Sequence, residues 1–291
     1  MNKYYKVKGY QPYKPVQGVD RKTDDYKIIA LDIDGTLTNS DKEITPRTRK
    51  ALIDAEKRGA TLILASGRPL SGLRDFADEL EMDKHHGILV GFNGGMVEDA
   101  ENGDILYQRT LDPAYVQKIL KHVKKFDVTP MIVRGKELLT EDIHGHKVDY
   151  EAGINGLTPV EVEDLAAAAD YPVAKILIAG DPGYLKKHFR EMKEPVANEV
   201  SSMFTAPFYY EFTPKGVNKS TALHGVLQKL GIAPGEMMAF GDAQNDAEML
   251  DLAGMGVAMG NADNNLKAIA DYITASNDED GIAHAVTEWM E

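Results

Sequence analysis

Two aspartates, Asp32 and Asp34, follow an apolar run in the segment KIIALDIDGTLT, which spans residues 27–38. The run has the length and composition of a β-strand buried on both faces, where a carboxylate without a partner is costly. Residues i and i+2 of a strand project to the same side, so both carboxylates can reach one ligand if the strand is just ending. The pair is therefore a candidate catalytic or metal-binding site.

Other polar residues follow two further apolar runs of strand length. Ser66, Gly67 and Arg68 come at the end of LILASGRP, and Asp242 comes at the end of MMAFGD. Ligands of an open parallel sheet bind at the carboxyl ends of its strands, so these residues are expected to meet at one edge. The remaining polar candidates near this edge are Asn245, Asp246, Lys215 and Lys219.

The chemistry expected at this edge follows from the carboxylates. Three of them would repel one another strongly unless a cation lay among them. Oxygen ligands with no histidine or cysteine nearby favour Mg²⁺ over zinc. Mg²⁺, a lysine and a serine hydroxyl gathered together make a site for phosphate.

The elements that must position these residues are predicted by hydrophobic periodicity. Over residues 26–92, strand-length apolar runs alternate with helical patterns, and the same rhythm returns over residues 206–291. This alternation is typical of an α/β fold with a parallel sheet and helices on its faces. We therefore predict a Rossmann-like, parallel-sheet core domain formed by these two segments.

Residues 93–205 are predicted to form an inserted α+β domain, with linkers near 92–95 and 205–207. Asn102 and Gly103 lie between two strand-like runs and predict a β-hairpin, which belongs to antiparallel sheets. The elements expected after it are helices at 113–126, 161–169 and 182–193, and strands near 129–134, 137–140, 173–179 and 197–204.

Composition limits the partners. The chain has 291 residues, with 33 basic and 46 acidic residues and a net charge of −13, which disfavours nucleic acid and anionic membranes as partners. The absence of cysteine excludes disulfides and thiolate metal sites. Residues 1–25 are interpreted as an irregular leader, and no apolar run approaches the roughly 18–20 residues of a membrane span. A cytoplasmic location is expected.

The four groups of polar residues together resemble the motifs of the haloacid dehalogenase (HAD) superfamily, in particular its Cof-like phosphatase branch with an inserted cap of type IIB. The resemblance covers roughly residues 26–291 and rests on DIDGT at 32–36, Ser66 in ASGRP, Lys219 in KGVNKSTAL and GDAQND at 241–246. It implies a Mg²⁺-dependent phosphatase that acts on small phosphorylated metabolites, sugar phosphates above all. The oligomeric state is left open between a monomer and a homodimer.

The resemblance also implies a role for each residue. Asp32 would be the nucleophile that forms an aspartyl phosphate, and Asp34 would protonate the leaving alcohol and later activate water. The metal would be held by the carboxylates of Asp32 and Asp242 and by the backbone carbonyl of Asp34. Asp246 would orient a metal-bound water or Lys219. The groups expected to hold the phosphoryl oxygens are the backbone amides of Ile33 and Gly67 and the side chains of Ser66, Lys219 and Asn245, with Lys215 as a rival for the lysine role.

Several other readings of these residues remain open. A phosphomutase would share the nucleophile but return the phosphoryl group to the sugar. A phospho-accepting receiver or a non-catalytic metabolite sensor would have no need of both Asp32 and Asp34, and a dehydrogenase would need a glycine-rich turn after the first strand. Arg68 could bind phosphate or form a salt bridge, His144 and His146 are interpreted as ordinary loop residues, and GMGVAMG at 254–260 indicates close packing.

Overall fold

The computed structural model describes residues 26–290, so the predicted leader lies outside the described residues. Its larger sheet has eight strands, which we number along the whole chain, in the order β14-β13-β12-β1-β2-β3-β4-β5. The first six of these pair in parallel, as predicted, and the last two are antiparallel. The strands are β1 (Ile28–Leu31), β2 (Thr61–Ala65), β3 (Ile88–Gly91), β4 (Met96–Asp99), β5 (Ile105–Gln108), β12 (Met237–Gly241), β13 (Met255–Ala258) and β14 (Tyr272–Ile273).

The central strands are buried along their whole length because helices cover the sheet. Every residue of β1, β12 and β13 is buried, which explains why these strands are continuously apolar rather than alternating. The helices that pack with this sheet into one hydrophobic core are α1 (Pro46–Lys57), α2 (Ser71–Glu79), α7 (Lys219–Leu230), α8 (Ala247–Leu252), α9 (Asn264–Lys267) and α10 (Gly281–Met290).

A second sheet of six strands forms the inserted domain, in the order β10-β11-β9-β6-β7-β8. One of its faces packs against α3, α5 and α6, and the other carries a smaller apolar cluster that includes α4. The strands are β6 (Thr129–Arg134), β7 (Glu137–Thr140), β8 (Thr158–Glu161), β9 (Ile176–Ala179), β10 (Val200–Ala206) and β11 (Tyr209–Pro214), and the helices are α3 (Pro113–Val123), α4 (Val148–Asn155), α5 (Leu165–Ala168) and α6 (Pro182–Lys193). We call this unit the cap.

Sheet membership differs from the predicted domain division at both junctions. The predicted hairpin is present, but its strands β4 and β5 extend the larger sheet, where β4 pairs with β3. The pairing satisfies the backbone groups that β3 would otherwise leave open at an edge. At the other junction, β11 lies after the predicted boundary at 205 and yet pairs with β9 and β10 in the cap.

Within the cap, the helix predicted at 161–169 is present but shorter. Strand β8 extends to Glu161, and the helix is confined to α5, capped by Asp164, whose carboxylate accepts from the amides of Ala166 and Ala167. The segment GMGVAMG lies in and around β13, where a Cβ at Gly254 would lie 2.0 Å from the Gly235 carbonyl oxygen, so close packing explains it. Among the described residues, none of the helices combines the length and apolarity needed to cross a bilayer.

Candidate active site

The polar residues predicted at strand ends converge because their strands are neighbours. β1 lies between β12 and β2, and all three run in parallel. Asp32 follows β1, Ser66 follows β2, and Asp242 follows β12. The carboxyl edge of the sheet therefore gathers side chains that are up to 210 residues apart in the 291-residue chain (242 − 32 = 210).

The turn after β1 is fixed by Gly35 and Thr36. Gly35 has a φ of +85°, and a Cβ there would lie 2.5 Å from Oδ2 of Asp242, so only glycine fits without displacing that carboxylate. The hydroxyl of Thr36 donates to Oδ1 of Asp242 at 3.1 Å. The turn thus holds Asp242 beside the end of β1, and Thr36 is a contact that the sequence reasoning missed.

A buried lysine joins two of the acidic residues. Nζ of Lys219 lies 2.5 Å from Oδ1 of Asp32 and 2.7 Å from Oδ1 of Asp246, and the lysine is only 1% exposed. The other oxygen of Asp246 accepts from the backbone amides of Asp242 and Ala243, both at 3.1 Å. Asp246 therefore orients Lys219 and the loop after β12 at once.

The rival lysine lies elsewhere. Nζ of Lys215 donates to the carbonyl of Asn198 in the cap at 3.2 Å, and that contact is exposed to solvent. Lys219 begins α7, whose first turn is capped by Asn218, so the helix start delivers its side chain to Asp32. Of the two, the lysine at the site is Lys219.

Three carboxylates lie close enough together to hold one metal ion. Asp32, Asp242 and Asp246 each offer an oxygen, and these oxygens all lie within 4.8 Å of one another. Three carboxylates and one ammonium leave a formal charge of −2, which a divalent cation would neutralise. Because the donors are all oxygens, the residues present fit Mg²⁺.

The pKa shifts report the same excess of negative charge. Burial raises the pKa of Asp32 to about 8, and repulsion by Asp246 adds to this effect. Burial and Asp246 also raise the pKa of Asp242 to about 6. Burial alone would lower the pKa of Lys219, but Asp246 and Asp32 outweigh it and raise that pKa, so the ammonium stays charged. A cation placed among the acids would favour their ionised forms.

Asp34 lies in different surroundings, although it is only two residues from Asp32. Nε and Nη2 of Arg68 donate to its two oxygens at 2.8 and 2.7 Å, and Nζ of Lys42 donates to Oδ1 at 3.0 Å. Burial would raise the pKa of Asp34, but Arg68 and then Lys42 lower it below the ordinary value. The pKa values of the two aspartates are thus shifted in opposite directions by their surroundings. For Arg68, the structure shows the salt bridge.

The loop after β2 is held by a strained turn that the sequence reasoning missed. The amide of Asn93 donates to the carbonyl of Ser66 at 2.8 Å, and Oγ of Ser66 accepts from the amide of Arg68 at 3.2 Å. Phe92 and Asn93 both have a φ of +54°, which is costly for residues other than glycine and is often found at functional sites. Asparagine followed by two glycines directly after a strand was the available signal.

The other predicted residues are less closely engaged. Ile33 is fully buried, and its carbonyl accepts from the amides of Thr36 and Thr38 at 3.3 and 3.0 Å. Asn245 lies in the short turn after β12 with an exposed side chain. Their contacts with phosphate stay predictions, as does that of the Gly67 amide.

Comparison with known proteins agrees with this architecture. The chain matches the model of the haloacid dehalogenase-like hydrolases over residues 29–286. A crystal structure of a haloacid dehalogenase-like hydrolase from Bacteroides thetaiotaomicron matches with a TM-score of 0.87 at 38% identity, covering 90% of this chain and 99% of that one. The parallel core, the inserted cap and the acidic site at the strand ends therefore define a HAD-type hydrolase.

Relatives with named activities indicate which kind of HAD-type hydrolase this chain resembles. The chain is 30% identical over 276 residues to the 5-amino-6-(5-phospho-D-ribitylamino)uracil phosphatase YcsE of Bacillus subtilis, covering 94% of this chain and 99% of the relative. It is 30% identical over 267 residues to the HMP-PP phosphatase of Cronobacter sakazakii, covering 91% and 96%. The chain belongs to the haloacid dehalogenase-like hydrolase family and is a phosphatase of its Cof-like branch.

Proposed function

We propose that this protein hydrolyses phosphate esters of small metabolites, sugar phosphates above all, in a Mg²⁺-dependent reaction through an aspartyl phosphate on Asp32. The contact between Asp32 and the buried ammonium of Lys219, inside the cluster with Asp242 and Asp246, carries the proposal. A carboxylate held at a sheet edge between a lysine and a cation site has the surroundings that a phosphoryl-accepting nucleophile needs.

The proposed reaction divides between the two aspartates. An oxygen of Asp32 attacks phosphorus, and the bond from phosphorus to the leaving oxygen breaks as Asp34 donates a proton to that oxygen. Asp34 then takes a proton from the water that hydrolyses the aspartyl phosphate. Arg68 and Lys42 favour the ionised form of Asp34, which this second step requires. The first step requires the protonated form, so Asp34 must be protonated when the substrate binds, although these two cations oppose it.

The remaining groups bind and orient the phosphoryl group. Mg²⁺ held by Asp32, Asp242 and the backbone carbonyl of Asp34 would offset the negative charge of the phosphoryl oxygens. Hydrogen bonds to these oxygens are proposed from the backbone amides of Ile33 and Gly67 and the side chains of Ser66, Lys219 and Asn245.

The cap and the relatives support the proposed substrate class. We expect a cap over the strand ends to exclude bulk water during the reaction and to admit a small molecule rather than a macromolecule. One relative is named for a phosphorylated ribityl compound and another for HMP-PP, which supports small phosphorylated metabolites as substrates. Contacts that select the leaving group are proposed to lie in residues 93–205.

The test is phosphate release from a panel of phosphorylated metabolites with Mg²⁺. We expect Asp32→Asn to lower turnover by more than about a thousandfold while circular dichroism shows an intact fold, because an amide is a poor nucleophile. Chelation of the metal should abolish wild-type turnover, and added Mg²⁺ should restore it. Hydrolysis by Asp32→Asn at the wild-type rate would refute the mechanism, and an isomerised product without phosphate release would indicate a mutase.

A further inference from the structure

A lysine of the cap contacts the loop after β2 in the core. This loop, residues 66–68, carries the proposed phosphate-binding groups of Ser66 and Gly67, and we call it the phosphate-binding loop. Lys175 immediately precedes β9, and its Nζ donates to the carbonyl of Gly67 at 3.0 Å. The same Nζ lies 3.3 Å from Oε2 of Glu211 on β11, and the two side chains are 9% and 2% exposed. Glu211 in turn lies 3.4 Å from the side-chain amide of Asn93. A buried ion pair of the cap therefore lies directly on the loop after β2.

The loop is incomplete without this contact. Its three successive carbonyls belong to Ser66, Gly67 and Arg68. The core itself satisfies the outer two, through the amides of Asn93 and Phe92, both at 2.8 Å. The cap supplies the hydrogen bond to the middle carbonyl, through Lys175. The peptide plane between Gly67 and Arg68 is thus fixed from the cap, and its amide is the one that donates to Oγ of Ser66.

Glu211 holds this lysine in place through the ion pair. Its register opposite Leu177 on β9 puts the carboxylate on the same face of the cap sheet as Lys175, because residues two apart share a face. A buried charge is tolerated when an opposite charge accompanies it. If the cap moved away from the core, both groups would be exposed to water, and the carbonyl of Gly67 would lose its donor.

A second contact links the same loop to the cap. Nη1 of Arg68 donates to the carbonyl of Ile154 on α4 at 2.8 Å, while the rest of its guanidinium holds Asp34. The cap therefore contacts two neighbouring residues of this loop, Gly67 and Arg68.

We propose that Lys175 is a positioning residue whose ammonium, supplied by the cap, sets the phosphate-binding loop into its working geometry when the cap closes. The proposal rests on the proposed phosphatase reaction. It assigns the cap a direct part in phosphoryl transfer, in addition to its role in covering the substrate. Glu211 has a supporting role, since it aims the ammonium at Gly67.

The test uses the fact that the chain contains no cysteine. Lys175→Cys would carry the only thiol, which 2-bromoethylamine converts into a lysine analogue and iodoacetamide into a neutral side chain. Both alkylations are done in denaturant, followed by refolding, and wild-type protein is carried through the same steps. The matched control is Lys124→Cys, because Lys124 forms ion pairs with Glu141 and Asp164 on the cap surface, at 2.7 and 3.2 Å.

We expect Lys175→Cys to lower kcat by about tenfold or more, since small displacements of binding groups have effects of this size. Here kcat is expressed per competent active site, that is, per Asp32 that can be phosphorylated. Alkylation of Lys175→Cys with 2-bromoethylamine should restore kcat to within about threefold of the wild-type value. Alkylation with iodoacetamide should not restore it. Glu211→Gln should also lower kcat, and Lys124→Cys should leave it unchanged.

Two outcomes would overturn the proposal: a Lys175→Cys protein with wild-type kcat, or equal rescue by the charged and the neutral alkylations. The second would mean that Lys175 only fills space. If unmodified Lys175→Cys fails to fold, the two alkylated forms still decide. Absence of phosphate release from the wild type itself would instead refute the proposed function.

Discussion

At the scale of single residues, the contrast between Asp32 and Asp34 is the main chemical feature of the site. Asp32 is buried beside Lys219 and near other carboxylates, whereas Asp34 has both oxygens engaged by Arg68 and is partly exposed. In the proposed mechanism the two residues take different roles, Asp32 as acceptor of the phosphoryl group and Asp34 as acid and base.

Asp34→Asn should slow both halves of the reaction, since an asparagine can neither give nor take the proton. We expect alkyl phosphates to lose roughly 10²- to 10⁴-fold in turnover. With p-nitrophenyl phosphate the leaving group needs little protonation, so the variant should release about one equivalent of phenolate quickly and then turn over slowly. Stopped-flow absorbance measures both phases.

The control for this variant is Asp41→Asn, which removes an exposed carboxylate seven residues further along the chain. It should behave as the wild type. If Asp34→Asn hydrolysed alkyl phosphates at the normal rate, the proton would have to come from another group.

At the scale of elements, the start of α7 matters most, because the first residue of this helix is Lys219. The side chain of Asn218 accepts from the amide of Thr221, and the hydroxyl of Thr221 accepts from the amide of Asn218. This capping box fixes the first turn. Asn218 also donates to the carboxylate of Glu248 on α8, so the helix start is held from a second side.

Asn218→Ala should lower the free energy of unfolding by about 1 kcal/mol, because a backbone amide of the first turn loses its acceptor. Turnover should also fall, since the position of Lys219 depends on that turn. Urea unfolding measures the stability, and Asn218→Ser is the matched control because serine keeps a capping oxygen. Equal losses in the alanine and serine variants would show that the capping oxygen is not responsible.

At the scale of the whole molecule, the pH dependence of stability is linked to Glu56, a buried carboxylate that takes no part in the proposed reaction. Glu56 on α1 is 3% exposed, and neither of its oxygens has a hydrogen-bond partner among the described residues. Burial raises its pKa from 4.5 to about 8, and repulsion by Glu81 and Asp83 adds to the shift. The folded protein therefore retains a proton that the unfolded chain releases at lower pH.

This shift makes stability depend on pH. Since the folded-state pKa is the higher one, the contribution of Glu56 is most favourable below about pH 4.5 and is lost as the pH rises towards about 8. Glu56→Gln removes this titration, so the free energy of unfolding of the variant relative to the wild type should increase across that window by on the order of 5 kcal/mol.

Urea unfolding at several pH values measures this difference, with the exposed Glu163→Gln as control. A difference between Glu56→Gln and the wild type that stays constant with pH would show that Glu56 is ionised in the folded protein.

The sequence by itself determined the parallel core, the polar residues at the strand ends and the family. It also favoured Lys219 over Lys215 as the lysine of the site. These features depend on local periodicity and on motifs that lie within a few residues of a strand or helix end. The turn residues Asn102 and Gly103 also predicted the hairpin, because turn chemistry is local.

Only the tertiary structure decided which sheet the hairpin and β11 join, which partner Arg68 takes and that Lys175 lies on Gly67. Lys175 and Gly67 are separated by 108 positions, so no local pattern connects them. Such contacts depend on which strand edges, charges and carbonyls remain unsatisfied once each unit has folded. Which groups remain unsatisfied is defined only when the cap and the core pack together, because burial makes an unpaired charge or carbonyl costly.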